Sequence, residues 1–359
     1  MRAAIEHIAL ERLAFPLATP FRAAIRAIDS VDILLVRISA GGLQGVGYAF
    51  AFGAQDLAPI HAVAQGLVPV LTGHDSACIE RCWGAMHHHL ALLGAGGPAL
   101  AALSAMDIAL WDLLGKQAQL PLVTLLGGAK DAIPVYGSGG SLSLAPDQLL
   151  AEAQEFAAQG YSAYKFKAGW GLSKDVERLA VLREGMGPQF KLIVDGNQQW
   201  TEKQAIQVAR QFAPFDLWWL EEPVAAHDLA ACARVRAMSP MNIATGETNF
   251  GLHEGARLMT EQACDVLMPN LQRIGGITGW LKLAAMAQIR GLQMASHVYA
   301  EVGVHLLCAV PHGLTLEVLP WWPRLFVEPL RVFGGLAYPP AQAGLGLTVD
   351  EVVIRKHRY

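Results

Sequence analysis

The sequence predicts an α/β fold: a closed barrel of parallel strands preceded by an α+β segment. Three observations carry that expectation. From about residue 133, eight short β-like runs alternate with helix-like runs, which is the pattern of a parallel sheet. Eight such units suffice to close a barrel. A polar residue stands near the C-terminal end of each run, which is where barrels build their sites. The chain has 359 residues, 53% of them hydrophobic, enough to bury a large core and too apolar for a disordered chain.

The first ~125 residues mix strand-like segments, SVDILLVRISA and GVGYAF, with a long Ala/Leu helix, LAALSAMDIALWDLLGKQAQ. Residues 83–106 carry no charge, but they contain His87, His88, His89, Pro98 and a Gly-rich centre. They read as a buried helix pair with a turn, not as a membrane span. Three consecutive histidines point in different directions on a helix, so they make a poor metal site. The barrel runs are IPVYGSG, YSAYKFKAG, FKLIVDGNQ, LWWLEEPV, NIATGETN, CDVLMPNLQ, LQMASHVYA and LTLEVLP, with DQLLAEAQEFAAQG and EKQAIQVARQFA among the intervening helices. The last ~35 residues turn irregular and are expected to pack back on the N-terminal part. The expected division is 1–125, 126–325 for the barrel, and 326–359 for the returning segment.

Lys+Arg is 27 and Asp+Glu is 31. That balance excludes a nucleic-acid footprint or a polybasic membrane patch and leaves a small molecule as the expected partner. Cys78, Cys82, Cys232, Cys264 and Cys308 are scattered and odd in number. They suggest no disulfide framework and fit a reducing, cytoplasmic compartment. Charges at Arg2, Glu6, Glu11 and Arg12 exclude a signal peptide at the start.

The strand-end polar residues are Ser138, Lys165 with Lys167, Asp195 with Asn197, Glu221 with Glu222, Glu247, Asn270, His297 and Glu317. Asp195, Glu221 and Glu247 follow one another at steps of 26 residues, about one βα unit, so they fall on neighbouring strands. Three carboxylates meeting at one barrel mouth repel strongly unless a cation sits among them. Hard oxygen ligands suit Mg²⁺. Lys165 and Lys167 are two apart and share one face of a strand. Each disfavours the other's charge and burial disfavours both, so lowered pKa values are expected.

AMDIALWDLLGK followed by PLVTLLGG, then KFK, VDGNQ, EEP, TGE, GGITGW and SHVYAE in order, resemble the enolase superfamily and within it the mandelate racemase/muconate lactonizing enzyme family. The resemblance spans nearly the whole chain. It implies a modified (β/α)7β TIM-like barrel under an N-terminal α+β capping domain. It also implies one essential Mg²⁺, and removal of the proton α to a substrate carboxylate to give an enediolate. A divalent cation on that carboxylate is the Lewis acid this step needs. The same resemblance implies Lys167 as base on one face of the α-carbon. Lys165 would hold its pKa down and contact the substrate carboxylate. His297 would be the acid/base on the opposite face, Glu317 a hydrogen-bonding partner of the carboxylate, Asn197 a contact to a substrate hydroxyl, and Ser138 a carboxylate-binding position. Large barrels with a capping domain often assemble, so a homo-oligomer is expected.

At residue 270 the family pattern has an aspartate paired with the histidine, whereas this chain has Asn270. Asparagine is expected to orient the ring through its amide oxygen without supplying charge. That makes His297 a poorer base and tilts the expectation towards β-elimination of water from an acid sugar, with racemisation or epimerisation of a 2-hydroxy acid such as mandelate as the alternative. The cap stretches TPFRAAIRAIDS and AFAFGAQD are expected to read the far end of the substrate, and Arg22 and Arg26 in the first could meet a second carboxylate or sugar hydroxyls, or stay solvated. Trp170, Tyr299, Trp321 and Trp322 could line the pocket or simply pack. A Schiff-base aldolase would also use a buried lysine but has no need of three stepped acids. A catalytically silent binding protein would keep the metal without proton exchange.

Overall fold

The computed structural model describes residues 3–94 and 96–359. Met1, Arg2 and Ala95 lie outside the described residues, and with them the Arg2 charge noted above.

Three strands, β1 (His7–Arg22), β2 (Ala27–Ala40) and β3 (Leu43–Ala51), form an antiparallel sheet in that order. Side chains alternate across a strand, and β2 uses both faces. Val31, Ile33 and Leu35 join the core shared with the barrel. Leu34, Val36 and Ile38 join a second core beneath the capping helices α1 (Ala54–Leu71), α2 (Ile79–Leu90) and α3 (Gly97–Ala118). This explains the apolar run over residues 33–36 at the centre of β2. Helix α3 crosses β3 so closely that a Cβ at Gly45 or Gly47 would lie 2.1 or 2.2 Å from the carbonyl oxygen of Ala109 or Ala105. By length and composition α3 could cross a membrane, but 78% of its apolar window is buried inside the fold. Helices α2 and α3 with their turn are the helix pair expected over 83–106.

A one-turn helix, α4 (Leu122–Leu125), leads into the barrel. Strands β4 (Ile133–Ser138), β5 (Ala163–Lys167), β6 (Lys191–Asp195), β7 (Trp219–Glu221), β8 (Asn242–Thr245), β9 (Val266–Leu267), β10 (Gln293–Ala295) and β11 (Gly313–Val318) run parallel. Parallel pairing of β11 with β4 closes the ring. Helices α5 (Pro146–Ala158), α6 (Leu172–Met186), α7 (Glu202–Phe212), α8 (Leu229–Met238), α9 (Gly251–Thr260), α10 (Gly276–Ile289) and α11 (Ala300–Ala309) occupy the seven gaps. Eight strands with seven helices between them make the (β/α)7β order. Tyr136 and Trp219 fill the barrel interior against the small residues Ala163, Ala244 and Ala295, the mixture of sizes that lets side-chain layers interdigitate. Pro269 cannot donate to a ladder, and β9 ends before it. An isolated bridge from Asn270 to His297 resumes the pairing.

The C-terminal segment touches both bodies. The hairpin β12 (Arg331–Phe333) and β13 (Leu336–Tyr338) pairs antiparallel with the first residues of β4, Ile133 and Pro134. Helix α12 (Glu351–His357) lies on β1, where His357 stacks on Phe15 and the Tyr359 hydroxyl donates to Asp32 Oδ2.

Asp107 ties cap to barrel. From the middle of α3 it accepts hydrogen bonds from the backbone N–H and the hydroxyl of Thr278 (2.9 and 2.6 Å), at the N-terminus of α10. Burial pushes its pKa up to about 7, against the pull of the Thr278 bonds. A carboxyl whose pKa rises on folding contributes stability that is complete below its unfolded value and lost as pH climbs through its folded value. Stability against urea should therefore carry a component that declines between about pH 4 and pH 7. Asp107→Asn should remove that component. A slope unchanged by the substitution would assign it to other groups.

Candidate active site

Strand register places Lys167 beside Asp195, and Asp195 beside Glu221. One oxygen from each of Asp195, Glu221 and Glu247 lies within 4.8 Å of the others, and all three residues are buried. The donor set fits a hard divalent cation on an independent observation: Glu247 Oε2 is buried and makes no well-directed hydrogen bond, although His297 Nε2 stands 3.2 Å from it. The crowding is visible in the titration of the set. Burial, opposed by Lys165 but reinforced by the charges of Asp195 and Glu247, raises the Glu221 pKa well above its ordinary range. Burial also opposes ionisation of Asp195, but Lys167 and Lys165 outweigh it and lower that pKa.

Lys165 is 1% exposed and sits at the centre of the acids. Its ammonium donates to Glu221 Oε1, lies 2.8 Å from Glu317 Oε1 and 3.9 Å from Asp195 Oδ2, and rests over the Tyr136 ring. Lys167 Nζ donates to Asp195 Oδ2 at 2.5 Å. The lowered lysine pKa values expected from sequence are not what the chain alone shows. Burial does push both down, and Lys165 does push Lys167 down. The carboxylates, Glu221 and Glu317 for Lys165 and Asp195 for Lys167, override these effects and raise both. Lys–Lys repulsion was legible in the sequence, but the closeness of the acids was not.

The residue at 270 also corrects an expectation. Asn270 Oδ1 accepts the backbone N–H of Gln272 at 3.0 Å, so its amide nitrogen, not its oxygen, meets His297 Nδ1 at 2.8 Å. An NH₂ can only donate. Nδ1 is thereby held as an acceptor, and the ring proton belongs on Nε2, which lies 3.2 Å from Glu247 Oε2. Burial lowers the His297 pKa despite the raising influence of Glu247 and Glu317.

A cavity of about 400 Å³ opens over this centre. Ser138, Lys167, Asn197, Glu247, His297 and Glu317 all line it, as does Arg26 at its rim. The Asn197 backbone N–H donates to Asp195 Oδ1 at 2.8 Å. Of the four aromatics considered from sequence, only Trp321 lines this cavity among the described residues. Tyr299 is buried and stacks on Tyr48, and Trp322 abuts Phe50. A cleft of about 520 Å³, lined by Glu152, Glu301, Arg324 and Glu328, holds none of the strand-end groups.

Gln198, Thr248 and Arg273 from the barrel escaped the sequence reading, whereas Phe21, Ile28, Phe50 and Phe52 line the cavity from the two cap stretches expected to face the substrate's far end. Gln198 and Thr248 both donate to Glu222 Oε2 at 2.8 Å. Non-glycine residues with positive φ cluster after the chemical groups: Asn197 and Gln198, Glu222, then Val298 and Tyr299. Left-handed backbone is costly for a β-branched residue such as Val298, and such strain collects at functional sites. Trp219 was also missed. Its indole N–H donates to Glu221 Oε2 at 3.0 Å from the barrel floor. Trp219→Phe keeps most of the volume and deletes that donor. It should weaken Mg²⁺ binding by ~10–100-fold, read by calorimetric titration. Unchanged affinity would reduce Trp219 to packing.

Residues 148–353 match the family described as "Enolase C-terminal domain-like", and residues 6–127 match the "Mandelate racemase / muconate lactonizing enzyme, N-terminal domain". The chain belongs to the mandelate racemase/muconate lactonizing enzyme family. Within it, the chain is 35% identical over 350 residues to a 3,6-anhydro-alpha-L-galactonate cycloisomerase of Streptomyces coelicolor, covering 96% of this chain and 97% of the relative. It is 35% identical to the L-talarate/galactarate dehydratase of Salmonella typhimurium, covering 97% and 89%. A crystal structure of the latter liganded with Mg and L-lyxarohydroxamate superposes with a TM-score of 0.96 at 33% identity, over 100% of this chain and 94% of that one. A crystal structure of an enolase from Bradyrhizobium complexed with magnesium and mandelic acid gives 0.93 at 33% identity, over 100% and 99%.

Proposed function

We propose that this protein is a Mg²⁺-dependent enzyme that removes the proton α to the carboxylate of an acid sugar and eliminates the β-hydroxyl as water, leaving a 2-keto-3-deoxy acid. Asp195, Glu221 and Glu247 would hold the metal. Bound there, Mg²⁺ offsets the carboxylate charge that now keeps the lysines protonated, and it polarises the substrate carboxylate. Lys167 takes the α-proton. Lys165 and Glu317, with Ser138, hold the substrate carboxylate, and Asn197 meets a hydroxyl. His297, once protonated on both ring nitrogens, would give its Nε2 proton to the departing oxygen and return to a neutral ring. The proposal includes a capping domain over 1–125, a barrel over 126–325 and a returning segment over 326–359. It also includes a homo-oligomer in a reducing, cytoplasmic compartment, which the five free cysteines favour.

The observation that carries the reading is the unlike pair of proton-handling groups lining the cavity. Lys167 can alternate between base and acid. His297 is held by Asn270 with its proton already on the nitrogen that lies beside Glu247. One base and one donor suit elimination, while inversion at carbon needs a competent base on each face. Racemisation of a 2-hydroxy acid is the second reading, favoured by the aromatic and aliphatic roof of the cavity. The test is incubation with Mg²⁺ and a panel of sugar acids and 2-hydroxy acids in D₂O, followed by NMR and mass spectrometry. A 2-keto-3-deoxy product is expected from at least one sugar acid. α-Deuteration with inversion and no loss of water would replace elimination with racemisation.

A further inference from the structure

The cavity is polar on one side and apolar on the other, and its cations are already engaged. Its barrel wall carries the strand-end groups, whereas its roof is Phe21, Ile25, Ile28, Phe50, Phe52 and Trp321. Three cations line it among the described residues: Lys167, Arg273 and Arg26. Lys167 is bound to Asp195. Arg273 donates to the Glu247 carbonyl at 2.8 Å and lies over the Phe250 ring. Arg26 is turned to Asp56 at 2.9 Å and to the Phe52 carbonyl at 3.1 Å, with its guanidinium over the Phe52 ring. A substrate anchored by one carboxylate at the acid-and-lysine floor therefore directs its far half at carbon, with no uncommitted cation above it.

From this we infer that the enzyme selects substrates with a single carboxylate whose far end presents C–H groups to the roof: aldonates, and terminally deoxygenated aldonates best of all, in preference to aldarates. The inference rests on the reading that the site binds acid sugars. A second carboxylate under the roof would be desolvated without a partner, a burial that proteins avoid. A deoxygenated terminus instead packs its methyl group on Phe and Trp rings.

The test uses the Mg²⁺-loaded protein and three acids of one configuration: an aldarate, the matching aldonate and its terminally deoxygenated analogue. Binding is measured by calorimetry and turnover by α-deuteration and keto-acid formation. Both monocarboxylates should bind at least about tenfold more tightly than the aldarate, with the deoxygenated one tightest. An aldarate that binds as well or better, or failure of all three to bind, overturns the inference. Binding in the expected order without proton exchange supports the inference while overturning the proposed reaction. Ile25 is 64% exposed at the rim, so Ile25→Arg adds a cation without disturbing the core. It should shift the aldarate-to-aldonate affinity ratio about tenfold towards the aldarate, and an unmoved ratio would place the far end of the substrate elsewhere.

Discussion

Lys167→Met should reduce keto-acid formation and α-proton exchange together by ~10³-fold or more, since a positioned general base is typically worth 10²–10⁴. Methionine keeps the unbranched, apolar stem of the side chain and removes the ammonium. The strand itself should hold: the Lys167 carbonyl accepts from Arg178 Nη1 at 2.7 Å, and its N–H donates to the Gly140 carbonyl at 3.0 Å, both through backbone atoms. Mg²⁺ affinity separates a chemical role from a structural one. Lys167 donates to Asp195 Oδ2 at 2.5 Å and so competes with a cation for that oxygen. Calorimetry should show Mg²⁺ bound as well as before, or more tightly. Collapse of metal binding alongside activity would mean that the lysine organises the acids rather than acting on substrate. Retained exchange would move the base elsewhere.

Legibility in the sequence followed the physics of each feature. Strand-end polar residues on successive βα units are a one-dimensional signal, so the barrel and the row of Lys167, Asp195 and Glu221 could be read from spacing. The roof could be read only as two cap stretches, TPFRAAIRAIDS and AFAFGAQD, not residue by residue. Phe21, Ile28, Phe50 and Phe52 lie more than 80 residues before the barrel's first strand and look like any apolar residues of a sheet; only docking of the cap turns them towards the cavity. Trp219 is similar: an aromatic two residues before Glu221 reads as barrel filling, and its indole N–H matters only because it reaches the carboxylate on the same strand. The lysine pKa directions failed for another reason. Repulsion between Lys165 and Lys167 is a neighbour effect visible in the sequence. The stronger pull of Glu221 and Glu317 on Lys165 comes from strands far along the chain.

Asn270→Asp should turn His297 into a base. The Gln272 N–H that now fixes the amide oxygen would fix one carboxylate oxygen. The other would then face His297 Nδ1, where an NH₂ stands 2.8 Å away today. A carboxylate can only accept, so the ring proton moves to Nδ1 and Nε2 gains its lone pair. The added negative charge also raises the His297 pKa, which burial now depresses. In serine proteases the reverse change, aspartate to asparagine beside the catalytic histidine, costs about 10⁴ through the wrong tautomer. A gain of ~10²–10⁴ in His297-side exchange is the corresponding expectation here. α-Deuteration in D₂O should then appear with inversion, and its pH–rate profile should acquire a limb set by His297. Asn270→Ala distinguishes tautomer control from simple loosening of the ring, since it frees Nδ1 without supplying a charge and should give far less inversion. If the aspartate variant gains no exchange on that face, the hydrogen-bond direction at Nδ1 does not govern His297, and elimination would have to be favoured by substrate geometry instead.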